Sequence, residues 1–173
     1  FSNNIGVSAR CYQYDNSGNM LIETSVDING NPILNEYLVA KYISKYDERG
    51  NRTEVSYYGI DGNLCLCNYG YAKWVSNYDE RGNEIESSCY GIDGNQCLSK
   101  EGIAKGVAKY DERGNRTEVS YYGIDGNPCL HKDGIAKCVS KYDERGNQTE
   151  VSYYGIDGNL CLCNYGYAKW VSK

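Results

Sequence analysis

The chain has 173 residues, with 18 Lys plus Arg against 23 Asp plus Glu, one His, 20 Gly, two Pro, nine Cys and 19 Tyr, for a formal net charge of −5. Its basic residues are spread evenly and lack the clustered footprint of nucleic-acid binding, and no run approaches the ~18 apolar residues of a membrane span. With one Phe, one Met and two Trp, the apolar content rests on Tyr, Cys and short aliphatics, which suits surfaces buried on one side and wet on the other.

The amino end, Phe1-Ser2-Asn3-Asn4, shows neither an initiator Met nor a charged-then-apolar leader, so the chain reads as a piece of a longer protein. Residues 1–13 read as the end of a preceding unit. From Tyr14 the string Tyr-Asp-x-x-Gly-Asn returns at Tyr46, Tyr78, Tyr110 and Tyr142, always 32 residues on. Five tandem repeats, 14–45, 46–77, 78–109, 110–141 and 142–173, therefore fill the rest of the chain.

Within a repeat the elements come in a fixed order. Tyr46-Asp47-Glu48-Arg49-Gly50-Asn51 reads as a type I turn closed by a left-handed Gly. Arg52–Tyr58 comes next, with the period-2 alternation of a half-buried strand, Thr53, Val55 and Tyr57 on one face and Glu54 and Ser56 on the other. Ile60-Asp61-Gly62-Asn63 holds a hairpin dipeptide, replaced by Asn29-Gly30 in the first copy. Leu64-Cys65-Leu66-Cys67 reads as a short third strand, and Ala72–Ser76 as the strand leading into the next Tyr-Asp. Gly falls too often for a helix to propagate. The expected fold is an all-β, elongated repeat array, a β-solenoid or stack of β-hairpins, because a unit this small cannot bury its apolar face alone. Unpaired edges at its ends invite end-to-end self-association.

Tyr110-Asp111-Glu112-Arg113-Gly114-Asn115-Arg116-Thr117-Glu118 resembles the YD-repeat, or rearrangement-hotspot-like, proteins, which are mostly bacterial. Tyr122 through Ala136 resembles a wider group of bacterial repeats with the flow Tyr-x-x-x-Asp-Gly-Asn-Pro and Asn-Lys-x-Gly-x-Ala. The first resemblance covers about a third of every repeat and implies hairpins that spiral into long sheets on surface or toxin-related proteins. It departs from the family in its longer unit, its second turn and its Cys column, and implies no catalytic residue.

The candidate chemistry is sparse. Cys65, Cys97, Cys129 and Cys161 share a column with Ile33, which reads as a buried stack of free thiols rather than disulfides between layers or a metal site; nine is odd, and a reducing, cytoplasmic setting is favoured over the cell surface. His131 shares its column with Asn35, Cys67, Ser99 and Cys163 and reads as a surface substitution. The turn acids, such as Asp47 and Asp61, are expected to bond their own turns rather than calcium. The column Tyr42, Trp74, Gly106, Cys138 and Trp170 accepts both Gly and Trp, which points outward from a core; Tyr42, Trp74 and Trp170 are the candidate binding residues. These readings give a non-enzymatic module with no catalytic residue, metal or cofactor. It would serve as a binding or scaffold surface for a protein or carbohydrate partner, or alternatively as a structural spacer or self-assembling filament or shell segment.

Overall fold

The computed structural model describes residues 6–172; the readings made on Phe1-Ser2-Asn3-Asn4 and on Lys173 lie outside them. Eleven strands account for all the regular structure of the described residues: β1 (Ala9–Tyr14), β2 (Met20–Val26), β3 (Lys41–Tyr46), β4 (Arg52–Tyr58), β5 (Lys73–Tyr78), β6 (Glu84–Tyr90), β7 (Lys105–Tyr110), β8 (Arg116–Tyr122), β9 (Lys137–Tyr142), β10 (Gln148–Tyr154) and β11 (Lys169–Val171). The fold is the all-β repeat array that the 32-residue period calls for, built of antiparallel hairpins. No helix among the described residues is long and apolar enough to cross a membrane.

Two compact units divide the chain: Phe1–Ser76 with Cys89–Cys97, and Asn77–Ser88 with Leu98–Lys173. In the first, β1 to β5 pair in chain order, every pair antiparallel. In the second, β6 to β11 do the same. The core is thin in both, with Val39, Ala40, Val55, Cys67, Ala72 and Cys89 buried in the first, and Ile103, Ala104, Ile135, Ala136, Val151 and Cys163 in the second.

The first turn explains its own invariant letters. Asp47 Oδ1 accepts the backbone N–H of Arg49 at 2.9 Å and of Asn51 at 2.8 Å, and Asn51 Nδ2 donates back to Asp47 Oδ2 at 2.9 Å. Gly50 sits at φ +84°, where a Cβ is penalised. The register slips by one residue between Lys45 and Tyr46, the bulge that accompanies such a turn. The opening Tyr then ties one repeat to the previous one, since Tyr46 Oη donates to the Met20 carbonyl at 3.0 Å and Tyr110 Oη to that of Glu84 at 2.9 Å.

The second turn is as expected, with Asn63 bonded to both oxygens of Asp61. The segment Leu64–Cys67 is not the third strand its letters suggest. Leu64 makes one isolated bridge to Tyr58, and the chain then runs into a third turn. Cys67 N–H donates to the Tyr71 carbonyl at 2.9 Å and Gly70 N–H to that of Cys67 at 2.9 Å. Third turns of neighbouring repeats bond to each other through the backbone, Asn68 N–H to the Tyr37 carbonyl at 2.8 Å and Lys132 N–H to that of Glu101 at 2.7 Å.

Candidate functional site

Each strand shows two faces, and they differ in chemistry. On one, Lys45 pairs with Glu54 at 2.9 Å and Lys109 with Glu118 at 2.9 Å. The invariant Lys of Ala-Lys lies over a Tyr ring there, Lys41 over Tyr58 and Lys73 over Tyr90, each at 4.9 Å. Those contacts recur from repeat to repeat. The opposite face is where the repeats differ.

Val55 and Tyr57 of β4 alternate onto that second face beside Tyr42 and Ser44 of β3, and the third turn folds down over it. Tyr71 from the turn meets Tyr57 at 5.8 Å and Trp74 at 5.4 Å between ring centres. Asn35 Nδ2 donates to Tyr42 Oη at 3.0 Å. Between the turns and the strands of the first unit lies a cleft of about 260 Å³ lined by Met20, Glu23, Tyr37, Tyr42, Arg52, Val55, Tyr57, Cys67 and Tyr69. The Tyr37 and Tyr69 rings stack at its rim, 6.3 Å apart.

Of the three residues singled out in the sequence, Tyr42 and Trp74 lie on this face of the first unit, and Trp170 holds the equivalent place opposite Val151 in the second. Tyr42 is half-buried, its hydroxyl between Asn35 and Glu23, and burial beside that carboxylate pushes its phenol far above the usual range. Trp74 is half-buried too, tilted against the Tyr71 ring and donating from Nε1 to Ser76 Oγ at 2.9 Å. Trp170 is 43% exposed. In four of the five repeats their column varies together with a neighbour on the third turn, the first repeat pairing Tyr42 with Val39 instead. Tyr71 accompanies Trp74 and Tyr167 accompanies Trp170, whereas Ile103 accompanies Gly106 and Ile135 accompanies Cys138. A Cβ added at Gly106 would meet nothing closer than Ser87 Oγ at 3.6 Å.

His131 is not the surface substitution that its column suggested; it is 9% exposed. The reason lies in the third turn, whose backbone N–H two residues on needs an acceptor. Asn35 Oδ1 accepts from Tyr37 N–H at 2.9 Å, Ser99 Oγ from Glu101 N–H at 3.3 Å and His131 Nδ1 from Asp133 N–H at 3.2 Å. The types in this column are those able to cap a turn in this way, which was the signal available in the sequence. Around His131, Glu101 Oε2 stands 3.2 Å from Nε2, Asp133 Oδ2 stands 3.2 Å from Nδ1, and Tyr121 stacks on the ring at 4.9 Å. Lys132 Nζ donates to Glu101 Oε1 at 2.6 Å, and that bond, ahead of the contact with His131, holds the Glu101 carboxyl below its ordinary value.

The cysteines also trade places with expectation. Cys67 and Cys163 are buried, while Cys65, Cys97, Cys129 and Cys161 are half-buried beside the second turn. Cys129 Sγ faces the Gly102 carbonyl at 3.5 Å. All nine are free thiols, and burial raises those of the half-buried column.

Together these features define a tyrosine-rich, all-β hairpin-repeat protein with one constant and one variable face. No protein-family model matches the chain, and no curated protein matches it. Among solved structures it is similar to the Photorhabdus luminescens Tc holotoxin pore, at 11% identity and a TM-score of 0.42, over 84% of this chain and 9% of that one. The chain thus spans about a tenth of the length of that structure.

Proposed function

We propose that this chain is a non-enzymatic repeat module of a larger bacterial protein, of the YD-repeat kind, whose variable face binds a protein or glycan partner. One observation carries the reading: residues that change between repeats, in the columns of Cys67, Tyr69, Tyr71 and Trp74, gather on a single face under the third turn. A spacer has no physical reason to vary one face while fixing the other. Both nitrogens of His131 are engaged by its own turn and by Glu101, leaving none for activating a nucleophile, and we assign no catalytic residue.

The alternative, a structural spacer or filament segment, draws on the recurring exposed side chains at the second turn, Ile60, Ile92, Ile124 and Ile156. The two readings separate in one experiment. Tyr69→Ala and Trp170→Ala remove exposed rings, and Tyr42→Ala and Trp74→Ala remove packed ones, in glycan-array and partner pull-down assays. We expect binding to fall with Tyr69→Ala or Trp170→Ala while the circular dichroism is unchanged. Full retention of binding in all four variants would remove these residues from the claim, and absence of any captured glycan or protein by the unaltered chain would leave the spacer reading.

A further inference from the structure

We propose that the cleft of the first unit is a site for an organic cation, an ammonium head group that Glu23 neutralises inside a cage of tyrosine rings. This deepens the binding-face reading and rests on it. Glu23 occupies the column held by Val55, Val119 and Val151 in three other repeats and by Ser87 in the remaining one, so a carboxylate stands where the other repeats place a smaller, uncharged side chain. It is 7% exposed. A carboxylate taken this far out of water is costly unless several donors replace its hydration.

Glu23 is short of such donors. Tyr42 Oη donates to Oε1 at 3.1 Å. Arg10 Nε stands at 3.5 Å, but Arg10 turns its Nη2 to Glu36 at 2.7 Å, the closer pairing. A carboxylate has about four acceptor positions, and among the described residues no other donor to it is found.

The cleft that Glu23 lines supplies what a cation needs. Tyr37, Tyr42, Tyr57 and Tyr69 border it, and the negative faces of aromatic rings attract a positive group without requiring a hydrogen bond from it. The volume, about 260 Å³, lies under the usual range of roughly 300–1,000 Å³ for small-molecule pockets, and fits a head group rather than an extended chain. Arg52, exposed at the mouth, opposes a cation, so the site depends on Glu23 to hold a single positive charge. A neutral ring would gain nothing from the buried carboxylate that it could not gain from a hydroxyl, and an anion would be repelled by it.

The test is a titration of the intact chain, followed by the ring signals of its tyrosines in NMR. Choline supplies the free cation, Nα-acetyl-lysine amide supplies the same charge as a polypeptide side chain, and 3,3-dimethylbutan-1-ol is the uncharged match to choline. At least one cation should bind saturably, perturbing Tyr37, Tyr42, Tyr57 and Tyr69, and the uncharged match should bind at least about tenfold more weakly. Choline alone would identify a small free ligand, and the lysine derivative alone a partner polypeptide. Glu23→Val, which copies the other repeats and so keeps the fold, should lose the binding, and Glu23→Gln should lose it as well. Arg52→Gln should tighten it. Absence of saturable binding by either cation, equal binding of the uncharged match, or full binding by Glu23→Val would overturn the assignment. If the cations fail while Tyr69→Ala still abolishes capture of a protein or glycan, the binding face stands and only its charge preference falls.

Discussion

Leu38 holds, at φ +62°, the place that Gly70 holds at φ +89° in the next repeat. It is the one non-Gly residue with positive φ among the described residues, and it closes the third turn with the same bond, Leu38 N–H to the Asn35 carbonyl at 3.0 Å. An L-residue in this region pays a steric penalty of about 1–2 kcal/mol, partly offset by the greater unfolded-state freedom of Gly. Leu38 is 54% exposed and contributes little burial in return. We expect Leu38→Gly to stabilise the protein by about 0.5–1 kcal/mol, read as a higher urea midpoint with an unchanged slope. A lower midpoint would mean that Leu38 makes a contact worth more than its strain.

The opening Tyr of the second, fourth and fifth repeats serves as a hydrogen-bond donor to the preceding repeat. Tyr46→Phe removes the bond to the Met20 carbonyl and should cost about 1 kcal/mol. Tyr14 is 58% exposed and has no such bond among the described residues, so Tyr14→Phe should be neutral in the same denaturation assay. Equal effects of the two changes would show that the ring, not the hydroxyl, matters in this column.

Glu23 sets stability against binding. Burying a carboxylate costs more than one hydrogen bond and one contact with a partly exposed guanidinium return, so Glu23→Val should raise the unfolding midpoint. A fall would mean that the bond to Tyr42 and the contact with Arg10 repay the burial in full.

Glu101 is one of the carboxylates through which the fold should lose stability in acid. Its carboxyl is held below the ordinary value of 4.5, first by the bond from Lys132. A lowered folded-state value means that its stabilising contribution is complete above the unfolded value and is lost as pH falls through the folded one. Glu101→Gln should therefore flatten the loss of stability below about pH 4.5 and leave the slope above it unchanged. An unaltered acid limb would show that other carboxylates set it.

Much of the fold was legible because the first two turns are fixed by letters that act locally. Asp47, Gly50 and Asn51 bond one another within a few residues, and any copy that folds must keep them. The third turn hid for the opposite reason. Its capping side chain is Asn35, Ser99 or His131 in three copies and the position is Cys67 or Cys163 in two others, its Gly is Leu38 in the first copy, and Leu64–Cys67 imitates a strand by its apolar letters. The pairing of Tyr71 with Trp74 results from that turn folding onto the sheet, a tertiary event with no local signature, and the burial of His131 was signalled only by the cap-forming types in its column. The variability of the Trp74 column was visible, but its cause was not.

The most direct measurement exchanges the variable set of one repeat for that of another. Cys67→Ser, Tyr69→Glu, Tyr71→Ile and Trp74→Gly together give the second repeat the side chains of the third, a combination that already packs as Ser99, Glu101, Ile103 and Gly106. If function lies in this face, the fourfold variant should unfold cooperatively with native circular dichroism, while binding of the protein or glycan partner is lost. Undiminished binding by a folded fourfold variant would contradict it.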